Sequence, residues 1–591
     1  MLDQILDHLA RRIHRSKDAI LTVFFIPFFL ISYSVLAENE QYELVLAGGA
    51  LKTCSSMTKK QCENDVNIVG GKQQLLFQFS PEARALWINT PQFSQLPEEI
   101  KQAFYAIDTN EYSKLAESTI SRGEFLDALD AVIESKSGLK DFTRLLSDPA
   151  YYALVDFHEV QQIDSKGARL QEKVSVPDNT NAASVDVYNA FVDQARLRLS
   201  ASNKDKAPNI VVITASSRDH FESADFYEGV FESLNVNVQW LPLSAAWQEA
   251  QYLREFDSDI CSRMVDLHSK RSLFNRKAVY PDRVAFEKTL CENPSKVIDA
   301  LTHAQGVFFN GGDQSKTLAA LLTPQGLPSE ALMVIRKNMQ NGQLVVGGTS
   351  AGTAVQAGGA VNNNPIPMLT NGIPSAAIKR GVFAYSAPSV RCSETSGCSE
   401  TVRSDDVTYR AEGGTGLFRQ GLLDTHFSER NREVRLIMTA LAAQQNFGFG
   451  VDETTALMVR QEGESTHFKV IGERGVFVAD LRTHDYRQVN THSGNTRSVG
   501  GLAHFWPTGT KVILNRKGFA VSWPANDAKA YAYTDESQWR AAVRANCQAD
   551  KPFSWQHDNV TYLLQANTAT QFSQSPMQCG YANLPFAISH K

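Results

Sequence analysis

An apolar, β-branched run that ends in a cluster of glycines leaves a chain few ways to fold. Here it does so most sharply between Gln343 and Gly359, which read Gln-Leu-Val-Val-Gly-Gly-Thr-Ser-Ala-Gly-Thr-Ala-Val-Gln-Ala-Gly-Gly. Leu344, Val345 and Val346 suit a buried parallel strand, and the small residues from Ala351 to Ala357 suit the start of a helix. Ser350 falls at the turn between them. Gly348-Thr349-Ser350-Ala351-Gly352 fits G-x-S-x-G, in which flanking glycines permit a strained turn that lifts a serine hydroxyl above the sheet edge. The helix that follows brings its N-terminal dipole and free N–H groups near that hydroxyl. The same letters also suit an ordinary glycine-rich turn with an incidental serine.

Similar runs recur. Tyr42 to Ala47 leads into Gly48-Gly49, and Asn209 to Thr214, Val236 to Leu241 and Gly306 to Phe309 follow, with helical patterns at 223–234, 245–270 and 296–303 between them. Strands this apolar, alternating with helices, predict a doubly wound, mostly parallel α/β sheet with its site beyond the carboxyl ends of the strands. Charged amphipathic helices, such as 98–107, 111–120 and 123–134, interrupt the alternation. Residues 362–416 read as surface loops near the active edge. The fold resumes at Gly421 to Asp424, a helix at 429–445 and a strand from Phe449 to Val451, and short β-like runs follow beyond Thr466. The expected division is 1–37 a signal peptide or anchor, 38–80 the first strand of the catalytic domain, 81–206 a helical insertion, 207–480 the catalytic α/β domain and 481–591 a β-containing C-terminal extension.

The N-terminus differs in kind. Arg11, Arg12, Arg15 and Lys17 precede an uncharged apolar run from Ala19 to Ala37 that ends Val35-Leu36-Ala37, the order of a secretory signal peptide. The run is also almost long enough to span a bilayer as an uncleaved anchor. Either way the residues after Ala37 are expected outside the cytoplasm, secreted, periplasmic or membrane-anchored. Eight cysteines fall as Cys54/Cys62, Cys261/Cys291, Cys392/Cys398 and Cys547/Cys579. In an oxidising compartment this order suggests nearest-neighbour disulfides, with buried free thiols as the alternative. The cysteines carry no metal-ligand spacing, and neither metal nor cofactor is expected. With 58 basic against 64 acidic residues the chain lacks the excess positive charge of a nucleic-acid binder.

A serine nucleophile needs a base and a group to orient that base. Of 13 histidines, His426 is the best placed, just past the carboxyl end of the run from Gly421 to Asp424. The next strand ends in Asp452-Glu453; Asp452 suits a backbone cap, which favours Glu453 as the orienting carboxylate. A second strand-to-glycine turn, Phe309-Asn310-Gly311-Gly312, could set the N–H of Gly312 beside that of Ala351 as an oxyanion hole, or form an ordinary tight turn.

These segments resemble a known family. Phe309-Asn310-Gly311-Gly312-Asp313-Gln314, Gly348-Thr349-Ser350-Ala351-Gly352, the stretch from Asp424 to Leu436 and Gly448-Phe449-Gly450-Val451-Asp452-Glu453 stand in the order seen in cyanophycinases, serine peptidases related to aspartyl dipeptidase. The resemblance covers Tyr42 to Gly49 and about 209–480. It implies a fold like that of class I glutamine amidotransferases and cleavage of cyanophycin, a poly-aspartate with arginine on each β-carboxyl, into β-Asp-Arg dipeptides. It further implies Ser350 and His426 as the catalytic pair. Related dipeptidases take a carboxylate soon after the nucleophile; this chain has none between Ser350 and Arg391, which favours Glu453. Gln314, Asp424, Arg430, Arg432 and Arg435 match positions associated with substrate recognition, as does Thr425, where glutamine is expected instead. Arginine binds carboxylates bidentately, although Glu429 and Glu433 interleave with these arginines as they would on a solvated ion-pair face.

The expected partners are therefore cyanophycin or aspartate-containing peptides, with a membrane only if the N-terminal segment stays uncleaved; a homodimer is left open. An exported aspartyl or isoaspartyl dipeptidase of the same lineage, and a non-catalytic binding protein on this scaffold, are the alternatives.

Overall fold

The computed structural model describes residues 40–361, 363–386, 401–491, 494–524, 537–549, 551–574 and 578–590. The apolar N-terminal segment and the Cys392/Cys398 pair lie outside the described residues.

Five strands make the parallel half of the main sheet: β1 (Leu44–Ala47), β2 (Asn209–Ile213), β3 (Asn237–Trp240), β4 (Gly306–Phe309) and β5 (Val345–Thr349). They lie in the order β1-β5-β4-β2-β3, each neighbouring pair parallel. Successive side chains point to opposite faces, and both faces are covered. Leu44, Leu46, Val211, Ile213, Val307, Phe309 and Val346 share one core with residues of the helices Ala245–Leu253, Ser295–His303 and Glu330–Gln340. Val45, Ala47, Ile210, Val212, Phe308 and Val345 share another with Ala182–Arg196 and His220–Glu232. Burial on both sides is why these strands read as unbroken apolar runs.

The remaining strands depart from the expectation of one mostly parallel sheet. Beyond β1 come four antiparallel strands, Thr455–Glu462, Ser465–Gly472, Lys511–Asn515 and Gly518–Ser522, so the nine-stranded sheet is mixed. A second, eight-stranded sheet holds Leu422–Thr425 and Phe447–Val451, parallel to each other. The strand Phe447–Val451 is buried along its whole length and needs a neighbour on each edge; Leu422–Thr425 supplies one and Gly475–Thr491 the other. Residues after 480 thus continue both sheets rather than forming a separate extension, and the boundary expected at 480 falls inside the strand Gly475–Thr491.

The helical segment expected at 81–206 divides in two. Between Phe77 and Val155, Phe79, Trp87, Phe93, Phe104, Phe125 and Phe142 belong to a core of their own. Ser80 caps the helix Pro81–Ile88, and Ser121 with Glu124 closes a capping box ahead of Arg122–Ser137, which stops at Gly138 in the left-handed region (φ 75°). The later helix Ala182–Arg196 covers the main sheet instead. Charges dock the small helical core: Arg276, held by Asp219 on the sheet side at 2.7 Å, donates to Glu159 at 2.7 Å, and Arg218 donates to both oxygens of Asp156 at 2.7 and 2.8 Å.

Cys54–Cys62, Cys261–Cys291 and Cys547–Cys579 are disulfides, joining nearest neighbours in the order of the sequence. Among the described residues no helix is long and apolar enough to cross a membrane. Peptide mapping of unreduced protein is expected to recover these three crosslinked pairs; six alkylatable thiols in protein folded under oxidising conditions would refute the assignment.

Candidate active site

β5 ends at Thr349, and Ser350 follows with φ 54° and ψ −116°, a conformation costly for a side chain and characteristic of functional turns. The turn closes only because glycine stands on either side. A Cβ on Gly348 would come within 2.3 Å of the Gly352 carbonyl oxygen, and one on Gly352 within 2.2 Å of that of Phe309. The helix after the turn, Ala351–Ala354, is a single turn long.

The Ser350 hydroxyl lies 2.7 Å from His426 Nε2, and His426 Nδ1 lies 2.6 Å from Glu453 Oε1. The three side chains come from two sheets, and the end of β1 joins them. The Ala47 carbonyl accepts the Ser350 N–H at 3.0 Å and the Thr353 hydroxyl at 2.7 Å. The Gly48 carbonyl accepts the His426 N–H at 2.8 Å, and the Gly49 carbonyl accepts the N–H of Thr454, next to Glu453, at 2.9 Å. Gly49 (φ 118°) also lies against the imidazole, where a Cβ would stand 2.4 Å from Cε1. The hydrogen bond from His426 holds the Glu453 carboxyl below its ordinary pKa.

The Gly311-Gly312 turn lies beside this row; a Cβ on Gly311 would stand 3.4 Å from Ser350 Cβ. Among the described residues the N–H groups of Gly312 and Ala351 have no acceptor within the chain, which leaves both available to an oxyanion. Gln314 donates to the carbonyls of Leu369 and Thr370 at 2.6 and 3.1 Å. A cavity of about 770 Å³ opens beside Gly312 and Gln314, with Asp148, Asp313, Lys316, Arg410 and Glu412 in its lining.

The other expected substrate residues are mostly engaged with one another. Asp424 is buried and accepts from Arg435 Nε and Nη2 at 2.7 and 2.6 Å and from Arg432 Nη1 at 3.1 Å. Burial acts to raise the Asp424 pKa, but Arg435 and Arg432 outweigh it and the carboxyl sits below its ordinary value. Burial, then the adjacent Arg435 charge, pulls Arg432 down to about 9. Thr425 is buried too, with its N–H on Asp424 and its carbonyl accepting from Arg432. Arg430 alone of the three arginines is exposed and unpaired among the described residues, and its charge reaches Glu453.

Behind the carboxylate, Asp452 caps a backbone N–H as its place in the sequence suggests, whereas Glu433 is buried rather than part of a solvated ion-pair face. Asp452 accepts the Ser428 N–H at 3.0 Å, and Glu429 accepts the Glu453 N–H at 3.2 Å while bonding Arg474 at 2.5 Å. Burial, with Asp452 close by, pushes Glu429 up to about 8 despite Arg474. Burial pushes Glu433, hydrogen-bonded to Ser537, up to about 7.

No family model matches the chain. It is 29% identical over 195 residues to a cyanophycinase of Trichormus variabilis, covering 33% of this chain and 51% of that protein. A cyanophycinase of Synechococcus elongatus is 28% identical over 191 residues, 32% of this chain and 46% of the relative. One of Geminocystis herdmanii is 25% identical over 202 residues, 33% and 56%. The chain spans about half the length of the curated relatives it matches. Among solved structures, a peptidase from an acI-B1 Actinobacterium aligns with a TM-score of 0.27 and 17% identity over 51% of this chain and 85% of that one. The chain is cyanophycinase-like over about a third of its length.

Two outcomes are expected. Gly49→Ala puts a methyl into the imidazole, so turnover should fall about a hundredfold or more with little change in circular dichroism. Asp424→Asn leaves two buried guanidinium groups without their carboxylate and should lower unfolding stability by roughly 3–5 kcal/mol in denaturant titration.

Proposed function

We propose that this chain is a serine-type peptidase that hydrolyses the aspartate backbone of cyanophycin to β-Asp-Arg dipeptides outside the cytoplasm. The observation that carries this reading is the hydrogen-bonded row from Ser350 through His426 to Glu453, in a chain similar to cyanophycinases. His426 Nε2 takes the proton of the Ser350 hydroxyl as its oxygen attacks the scissile carbonyl carbon. Glu453 accepts from Nδ1, which keeps the imidazole in the tautomer able to act as base. The carbonyl oxygen, now an anion, takes hydrogen bonds from the N–H groups of Gly312 and Ala351. The imidazolium returns its proton to the departing amine, leaving an ester on Ser350. Water, deprotonated by the same histidine, then releases the acid and restores the hydroxyl.

A polymer alternating carboxylate and guanidinium needs an open cleft with both signs of charge, and the cavity with Asp148, Asp313, Lys316, Arg410 and Glu412 in its lining has that character. Among the described residues Arg430 is a cation without a side-chain partner that can meet a substrate carboxylate, and Arg432 keeps donors beyond its one bonded nitrogen. Three disulfides favour an oxidising compartment, in keeping with export by the N-terminal segment.

Incubating the purified protein with insoluble cyanophycin and with Asp-Xaa dipeptides, then weighing the products by mass spectrometry, separates the polymer reading from the dipeptidase one. β-Asp-Arg released from the polymer is the expected result; cleavage of dipeptides alone would replace this reading. Ser350→Ala should cut turnover by on the order of a millionfold while binding persists, and Glu453→Gln by about ten thousandfold. A Glu453→Gln enzyme at the wild-type rate would remove Glu453 from the mechanism.

A further inference from the structure

Away from Ser350, three helices bring a second set of reactive side chains together. His220 opens the helix His220–Glu232, His268 lies in Met264–Ser269, and Glu287 lies in Pro281–Glu292. All three are buried, at 4%, 6% and 0% exposure, and one ligand atom from each lies within 4.8 Å of the others. His268 Nε2 is 2.9 and 3.0 Å from the two Glu287 oxygens, and His220 Nε2 is 3.7 Å from Oε1. A protonated His268 paired with Glu287 would account for two of the groups and leaves the third unexplained. His220 Nε2 has no hydrogen-bond partner, and Phe221 and Trp240 pack around the ring. A buried nitrogen aimed at a carboxylate edge that it does not reach costs free energy unless something binds between them.

We propose that His220, His268 and Glu287 bind a divalent first-row transition ion, with Zn²⁺ the expected occupant. Two imidazole nitrogens and a carboxylate are a donor set that Zn²⁺ accepts, with a water or the second carboxylate oxygen in the fourth position. Small movements of the side chains bring each donor to the roughly 2.0–2.2 Å that zinc needs. The disulfide Cys261–Cys291 ties the turn before one ligand helix to the end of another, so Glu287 is held near His268 before any ion arrives. Burial makes the site structural rather than catalytic. Its reach toward the active site runs through the turn before His220: Thr214 donates to the His220 carbonyl, and Ser216 bonds Asn310 and Asp313 of the Gly312 turn.

The test uses full-length, tag-free protein expressed with added zinc, desalted and assayed by inductively coupled plasma mass spectrometry. About one Zn²⁺ per chain is expected in the wild type and in His426→Ala, and less than about a tenth in His220→Ala and Glu287→Gln. Co²⁺ added to metal-free wild-type protein should give visible d–d bands and raise the melting temperature by a few degrees, readouts that do not depend on a variant folding. Wild-type protein that holds no zinc and gives no cobalt spectrum overturns the proposal. So does zinc that persists in folded His220→Ala and Glu287→Gln, or that is lost from His426→Ala.

Discussion

Three successive carbonyl groups hold the candidate active site together. Ala47 receives the nucleophile's N–H, Gly48 that of the base, and Gly49 that of the residue after the carboxylate. A main chain can do this only if nothing projects from it. A Cβ on Gly48 would lie 2.1 Å from the Asp452 carbonyl oxygen, as one on Gly49 would enter the imidazole. The position of three side chains from two sheets is thereby fixed by three successive peptide groups at the end of one short strand, which the parallel neighbour β5 and the antiparallel neighbour Thr455–Glu462 restrain up to Ala47. Preorganisation here is a property of backbone hydrogen bonds, which vary less with side-chain chemistry than a purely side-chain network would.

Charge is arranged in two layers around that row. The inner layer sets Asp424 against Arg432 and Arg435 on one side and Glu429 against Arg474 on the other. Such pairs contribute little net stability but tolerate no loss of a partner, so they set orientation more than affinity. Farther out, Arg430 is exposed, and the nearby cavity carries charges of both signs in its lining. Asp424 and Arg435 thus belong to the scaffold on which recognition is built.

Much of this was legible in the sequence because Ser350, His426 and Glu453 each follow an apolar run that stops abruptly, and a buried strand's end is where a reactive group can reach solvent. What the runs do not carry is which sheet they join: Leu422–Thr425 and Val345–Thr349 are alike in apolar character yet lie in different sheets. The helix expected at 429–445 begins only at Glu433, since Asn431 adopts φ 49° after a short 3₁₀ turn. The helix expected at 111–120 ends at Ser113, and Ile120 pairs with Phe77 instead. The Asp424–Arg435 pair and the cluster of His220, His268 and Glu287 link residues from separate elements, which no local spacing encodes. Gly48-Gly49 reads as a turn in sequence; its grip on His426 exists only once the second sheet is in place.

The helical core between Phe77 and Val155 packs its aromatic residues largely against one another, takes in Phe274 from the sheet domain, and is tied to that domain by Arg218 on Asp156 and Arg276 on Glu159. Such a junction makes the segment an exchangeable part. Its interior can drift, lengthen or be replaced over evolutionary time while two arginines and the acids they grip are kept, and the chemistry at the sheet edge need not change with it. A lineage can in this way acquire new surfaces for different surroundings without re-solving the problem of catalysis.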